Sequence, residues 1–152
     1  MITWQDYMKG RDDVYRADCT IEIMRNASRT IDVVNKVLAA MEADGVDIKG
    51  VKIASGWRPP AVNDHTANAA HTSKHLTAEA CDIADFPDRR LCRWALRNEE
   101  KLRALGVHIE DPRYTPSWLH VQTVPPASGK FCFIPSSAPP LVAALPEQLH
   151  VG

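Results

Sequence analysis

Apolar residues recur at three- and four-residue steps through "DCTIEIMRNASRTIDVVNKVLAAMEAD", residues 18–44. Ile21, Met24, Ala27, Ile31, Val34, Leu38 and Met41 therefore share one face of a long predicted helix. Asp18 is placed to cap its start, and Gly45 follows as a terminator. "VDIKGVKIASG" then carries the β-branched alternation of a strand ending at a glycine. "WRPPAVNDHTANAAHTSKH" is polar and reads as a loop, long enough to suggest function in a compact domain. "ACDIAD" is short, apolar and bounded, as a buried strand is. A second helix is expected from Pro87 to about Leu105, with Leu91, Trp94, Ala95, Leu102 and Leu105 on one side and Gly106 ending it. "VHIE" and "WLHVQT" read as strands joined by the turn-rich "DPRYTPS", and "KFCFIP" as a further short strand. Residues after Pro135 form a Pro- and Ala-rich tail. Mixed helices and short, turn-connected strands predict an α+β domain with a small, largely antiparallel sheet and flanking helices.

Length changes this picture little: 152 residues allow one core and one domain spanning 1–152. Lys and Arg total 18 against 19 Asp and Glu, so no strongly basic face is available for a nucleic acid or an anionic membrane. No apolar run reaches the ~20 residues that span a bilayer. The N-terminus "MITWQDYMKGRDDVYRAD" has no apolar signal-peptide core, which predicts synthesis in a cytoplasm without a secretion signal. Cys19, Cys81, Cys92 and Cys132 form no CxxC pair and read as reduced, mostly buried thiols.

The chemistry concentrates between His71 and Gln122. Asp82 lies inside an apolar strand, where a carboxylate needs a partner. His75 stands at the end of the preceding loop. His120 lies in "SWLHVQ", where Trp118, His120 and Gln122 point one way and Leu119 and Val121 the other. Two imidazoles and a carboxylate form the ligand set of a catalytic zinc site with an open fourth position. Each histidine taken alone suits an ordinary polar role better, His75 bonded to a backbone carbonyl and His120 satisfied in the core; together with their flanks they favour the metal.

The segment "SKHLTAEACDI" resembles the Ser-x-His-x-x-Gly-x-Ala-x-Asp motif of the zinc D-alanyl-D-alanine peptidase family, matching it at Ser73, His75, Ala80 and Asp82. That family includes carboxypeptidases, dipeptidases, phage L-alanyl-D-glutamate endolysins and the hedgehog signalling domain. "SGWRPP" resembles its upstream Ser-Gly-aromatic-Arg segment, and "WLHVQ" its final Trp-x-His segment. The resemblance implies the family's zinc fold and Zn²⁺ held by His75, Asp82 and His120. It also implies Arg58 as the grip on a substrate carbonyl or carboxylate, Ser73 as support near the metal, and Trp118 beside the substrate. The implied substrate is the stem peptide of bacterial peptidoglycan. The implied setting is a phage endolysin or virion-associated lysin, expected as a monomer made in the host cytoplasm and acting at the periplasmic wall. A non-hydrolytic zinc-binding domain and a structural phage protein are the competing expectations.

Two positions depart from the pattern. The motif glycine is Ala78, which fits without strain where the backbone avoids positive φ. Relatives often carry the catalytic acid three residues before the last histidine, and Ser117 stands there. Glu110 is then the first choice for the general base and Asp111 the second. His108, on the same strand face as Glu110, is a candidate to line the cleft.

Overall fold

The computed structural model describes residues 1–136, so the tail lies, from residue 137 onward, outside the described residues. Along the chain come α1 (Trp4–Met8), α2 (Arg11–Val14), α3 (Ile21–Ala43), β1 (Ile53–Ser55), α4 (Pro60–Asp64) and β2 (Ala80–Ala84). α5 (Arg90–Arg97), α6 (Glu99–Ala104), β3 (His108–Glu110), β4 (Trp118–Gln122) and β5 (Cys132–Phe133) follow. The strands form one mixed sheet in the order β1-β2-β4-β3-β5, antiparallel except for the parallel β3–β5 pair.

Alternation along the strands gives this sheet two different faces. Cys81, Ile83, Ile109, Leu119 and Val121 are fully buried and join Val34, Leu38 and Met41 of α3 and Tyr7 and Met8 of α1 in the core. The other face carries Asp82, Glu110, Trp118, His120 and Gln122 around a cavity. The core also fixes the segment that enters β2. The Thr30 hydroxyl donates to the Ala78 carbonyl and the Tyr7 hydroxyl to the Ala80 carbonyl, both at 2.8 Å.

Several expected boundaries move, each for a local reason. The long helix starts at Ile21 and not at Asp18, because the Thr20 hydroxyl caps it by accepting from the Ile23 N–H. Its Ile21 and Met24 remain exposed, so the buried stripe begins only at Ala27. The helix expected from Pro87 to Leu105 is two helices. The Asp85 carboxylate accepts from the Leu91 and Cys92 N–H groups at 3.0 and 3.1 Å, which sets the start at Arg90. At Asn98 the backbone leaves helical geometry while the side-chain amide donates to the Trp94 carbonyl, an alternative partner of the kind that interrupts helices.

The strand expected in "VDIKGVKIASG" shrinks to its last residues, and the polar loop contains α4. α1 and α2 lie in the N-terminal stretch, for which no helix is expected from the sequence. Thr3 and Asp6 form a capping box that starts α1. The condition under which Ala78 replaces the motif glycine without strain is not met: its φ is 57°. An L-residue there costs about 1–2 kcal/mol, offset by complete burial of the residue and the Thr30 bond to its carbonyl.

Candidate metal centre

Three elements bring His75, Asp82 and His120 together. His75 ends the loop before β2, Asp82 is the middle residue of β2, and His120 is its cross-strand partner on β4. All three are buried, and one donor atom from each lies within 4.8 Å of the others. The Asp82 carboxylate spans the pair: Oδ1 is 2.8 Å from His120 Nδ1, and Oδ2 is 3.2 Å from His75 Nε2. The two rings meet edge to face at 5.3 Å between centroids.

The electrostatics follow from this geometry. Burial alone raises a carboxyl pKa, but at Asp82 the charge of His75 and hydrogen bonds with both imidazoles outweigh it and hold the group well below its ordinary value. Burial alone lowers an imidazole pKa. At His120 the bond to Asp82 and the charges of Glu110 and Asp82 prevail, so the pKa is pushed up to about 9. In the metal-free protein a proton on His120 thus partly fills the place of a cation.

The residues fit a metal ion. His75 Nδ1 donates to the Gly56 carbonyl at 2.7 Å, so Nε2, the atom that faces Asp82, is the ring nitrogen left to hold a metal ion. His120 presents Nδ1 to the same carboxylate. Two neutral imidazole nitrogens and one carboxylate, buried and already mutually oriented, can hold a divalent ion. Gly56 was not evident as part of this site. A Cβ there would collide with the Tyr7 backbone carbonyl, so only glycine lets its own carbonyl reach His75.

The other predicted residues separate cleanly. Glu110 follows Ile109, which pairs with Val121, so the antiparallel ladder brings it beside His120; its Oε1 is 3.9 Å from His120 Nε2. Asp111 instead holds Arg113 in a close two-point pair, with Nη2 at 2.6 Å. Arg58 is 8% exposed and lines the cavity. Its Nη2 donates to Ser73 Oγ at 3.1 Å, and the same Oγ accepts from the His75 N–H at 3.3 Å. Ser73 therefore ties Arg58 to the backbone of His75. Trp118 is half-buried on the cavity wall, whereas the Ser117 side chain is exposed.

His108 does not line the cavity; its Nδ1 lies 3.0 Å from the Lys130 carbonyl. His65 and His71 are exposed and stand outside it. Trp57 is core, donating to the Leu76 carbonyl. The thiols offer no nucleophile to this site: burial pushes Cys81, Cys92 and Cys132 up in pKa, Cys132 to about 11.

The cavity encloses about 1050 Å³, room for several residues of an extended peptide, and Tyr114, Gln122 and Phe133 complete its wall near the cluster. Among the described residues no helix is long and apolar enough to cross a membrane. No protein family, curated protein or solved structure matches the chain.

Proposed function

We propose that the protein is a zinc peptidase that cleaves stem peptides of bacterial peptidoglycan, built on the zinc fold of the D-alanyl-D-alanine peptidases and hedgehog domain. One observation carries this reading: the buried His75–Asp82–His120 cluster opens on a peptide-sized cavity that Glu110 and Arg58 share. A structural polar network needs neither a carboxylate poised beside the cluster nor a buried guanidinium in the same hollow.

Two imidazoles and one carboxylate suit zinc better than the oxygen-preferring magnesium or calcium. Bound there, zinc supplies Lewis acidity, making a water more acidic and drawing electron density from a peptide carbonyl. Glu110 accepts the proton of the attacking water and returns it to the leaving amine, a transfer worth typically 10²–10⁴-fold in rate. The Arg58 fork holds a substrate carbonyl or carboxylate by charge-assisted hydrogen bonds. Ser73 keeps that fork in position from its site beside His75. Asp111, engaged with Arg113, leaves the base role to Glu110.

The setting follows from the same resemblance: a lysin made in a phage-infected cytoplasm and delivered to the wall, acting as a monomer. One observation favours a second reading, zinc binding without hydrolysis. The position where relatives often carry their acid is Ser117, and its side chain faces solvent. Release of free amines from purified sacculi by zinc-loaded wild type, Glu110→Gln and Asp111→Asn separates the two. Hydrolysis abolished only in Glu110→Gln supports the peptidase; a fully loaded wild type that releases nothing supports the binding domain.

A further inference from the structure

Gln122 stands two residues after His120 on β4, on the same face of the sheet, and is buried. Its amide has one orientation. The Nε2 end donates to the Val124 carbonyl at 2.8 Å, and a carbonyl can only accept. The chain leading to that carbonyl is itself held, because the Thr123 N–H and hydroxyl both donate to the Glu79 carbonyl, at 2.9 and 3.3 Å. A reversed amide would press Oε1 against the Val124 oxygen, two acceptors with no proton between them. Oε1 is therefore the end that faces His120 Nε2, at 3.3 Å.

That orientation decides which ring nitrogen of His120 keeps a proton. The amide oxygen can only accept, so Nε2 donates. Nδ1, 2.8 Å from the Asp82 carboxylate, is then the nitrogen free to take a cation. The opposite tautomer would set the Nε2 lone pair against Oε1 in a buried place, leaving both acceptors unsatisfied. The rings of His75 and Phe133 meet the imidazole edge to face, at 5.3 and 6.1 Å between centroids, so the ring is packed as well as bonded. Glu110 contends for the same N–H, but its Oε1 lies at 3.9 Å, beyond hydrogen-bond reach.

We infer that Gln122 is a positioning residue of the metal centre: by accepting the His120 Nε2 proton it reserves Nδ1 for a metal ion and leaves the Glu110 carboxylate unengaged. The first half needs only the metal centre, whereas the second rests on the reading of Glu110 as general base. Without the amide oxygen, the Nε2 proton has Glu110 as its nearest remaining acceptor. The carboxylate is then drawn into holding the ligand and is lost to the attacking water.

Nitrogen–proton correlation spectra of the imidazoles in zinc-loaded protein read the tautomer, and competition with a chelator reads zinc affinity. Wild type is expected to show His120 metallated at Nδ1 and protonated at Nε2. Gln122→Met keeps the side chain's length without a strong acceptor and should weaken zinc binding by about 10–100-fold. Gln122→Glu restores an acceptor and should stay within about threefold of wild type. A residue that only fills space would not be rescued in this way. At saturating zinc, amine release from sacculi should fall in Gln122→Met and recover in Gln122→Glu. Where a variant does not fold, the wild-type spectrum decides by itself. Zinc on His120 Nε2, wild-type affinity in Gln122→Met, or equal losses in the two variants overturns the inference, and a wild type without zinc overturns it together with the metal centre. The expected spectrum and affinities with no amine release support the inference and count against hydrolysis alone.

Discussion

Asp82 and His120 face one another directly across the β2–β4 ladder, and the carboxylate reaches the imidazole at 2.8 Å before any metal is considered. The sheet register therefore brings two of the three candidate ligands together, and His75 adds the third from a loop tied to the strand's entry. Asp82→Asn keeps the shape and removes the charge. It should lower zinc affinity by more than about 100-fold, since even partners outside the ligand set typically contribute 10–100-fold. It should also destabilise the metal-free protein by about 3 kcal/mol, as breaking a buried charged pair does. Zinc titration and urea unfolding of the same variant measure both effects.

The metal-free protein should show a characteristic stability profile. The His120 pKa rises from 6.5 to about 9 on folding. Its stabilisation is therefore fully present below pH ~6.5 and lost as pH rises through about 9. Asp82 shifts the other way, so its contribution is present above its ordinary pKa of 3.8 and lost as pH falls through its depressed value. Stability should decline by on the order of 2–3 kcal/mol between pH 6.5 and 9.5. Zinc should reverse that decline, because ions compete with protons for the same nitrogen. Denaturant unfolding across this range, with and without zinc, gives the answer; a flat metal-free curve would contradict the His120–Asp82 coupling.

Gly56 should be intolerant of even one methyl group. A Cβ there meets the Tyr7 carbonyl, which is backbone and cannot rotate away. Gly56→Ala should cost about 1–3 kcal/mol through overpacking. It should also weaken zinc binding by about 10–100-fold by disturbing the carbonyl that orients His75. A melt and a zinc titration check this, and unchanged values in both would remove Gly56 from the site.

What could be read along the chain depended on how local its cause is. The period of two in "WLHVQ" was enough to separate His120 and Gln122 from Leu119 and Val121, because strand alternation is local. Asp82 was legible because a carboxylate between apolar neighbours demands a partner. The break at Asn98 was not, since the run from Pro87 keeps its helical period across it and only a side-chain bond to Trp94 reveals the interruption. Ala78 resembles an unstrained replacement until its φ of 57° is seen.

Arg11 and Gly56 were invisible for a different reason. Each reaches the cavity or the cluster by a distant carbonyl contact, Arg11 with Trp57 and Gly56 with both Tyr7 and His75. Choosing between Glu110 and Asp111 likewise required the register of β3 against β4, which points Glu110 at His120 and leaves Asp111 to Arg113.

The most direct test pairs zinc content with product mass: purified protein is loaded with zinc, its metal counted, and peptidoglycan digested with wild type and Glu110→Gln. The account predicts one zinc per chain in both, stem-peptide fragments carrying a newly freed amine from wild type, and a rate lower by at least about 100-fold in the variant. One zinc per chain with every stem peptide intact would contradict the peptidase, and no zinc at all would contradict the metal centre beneath it.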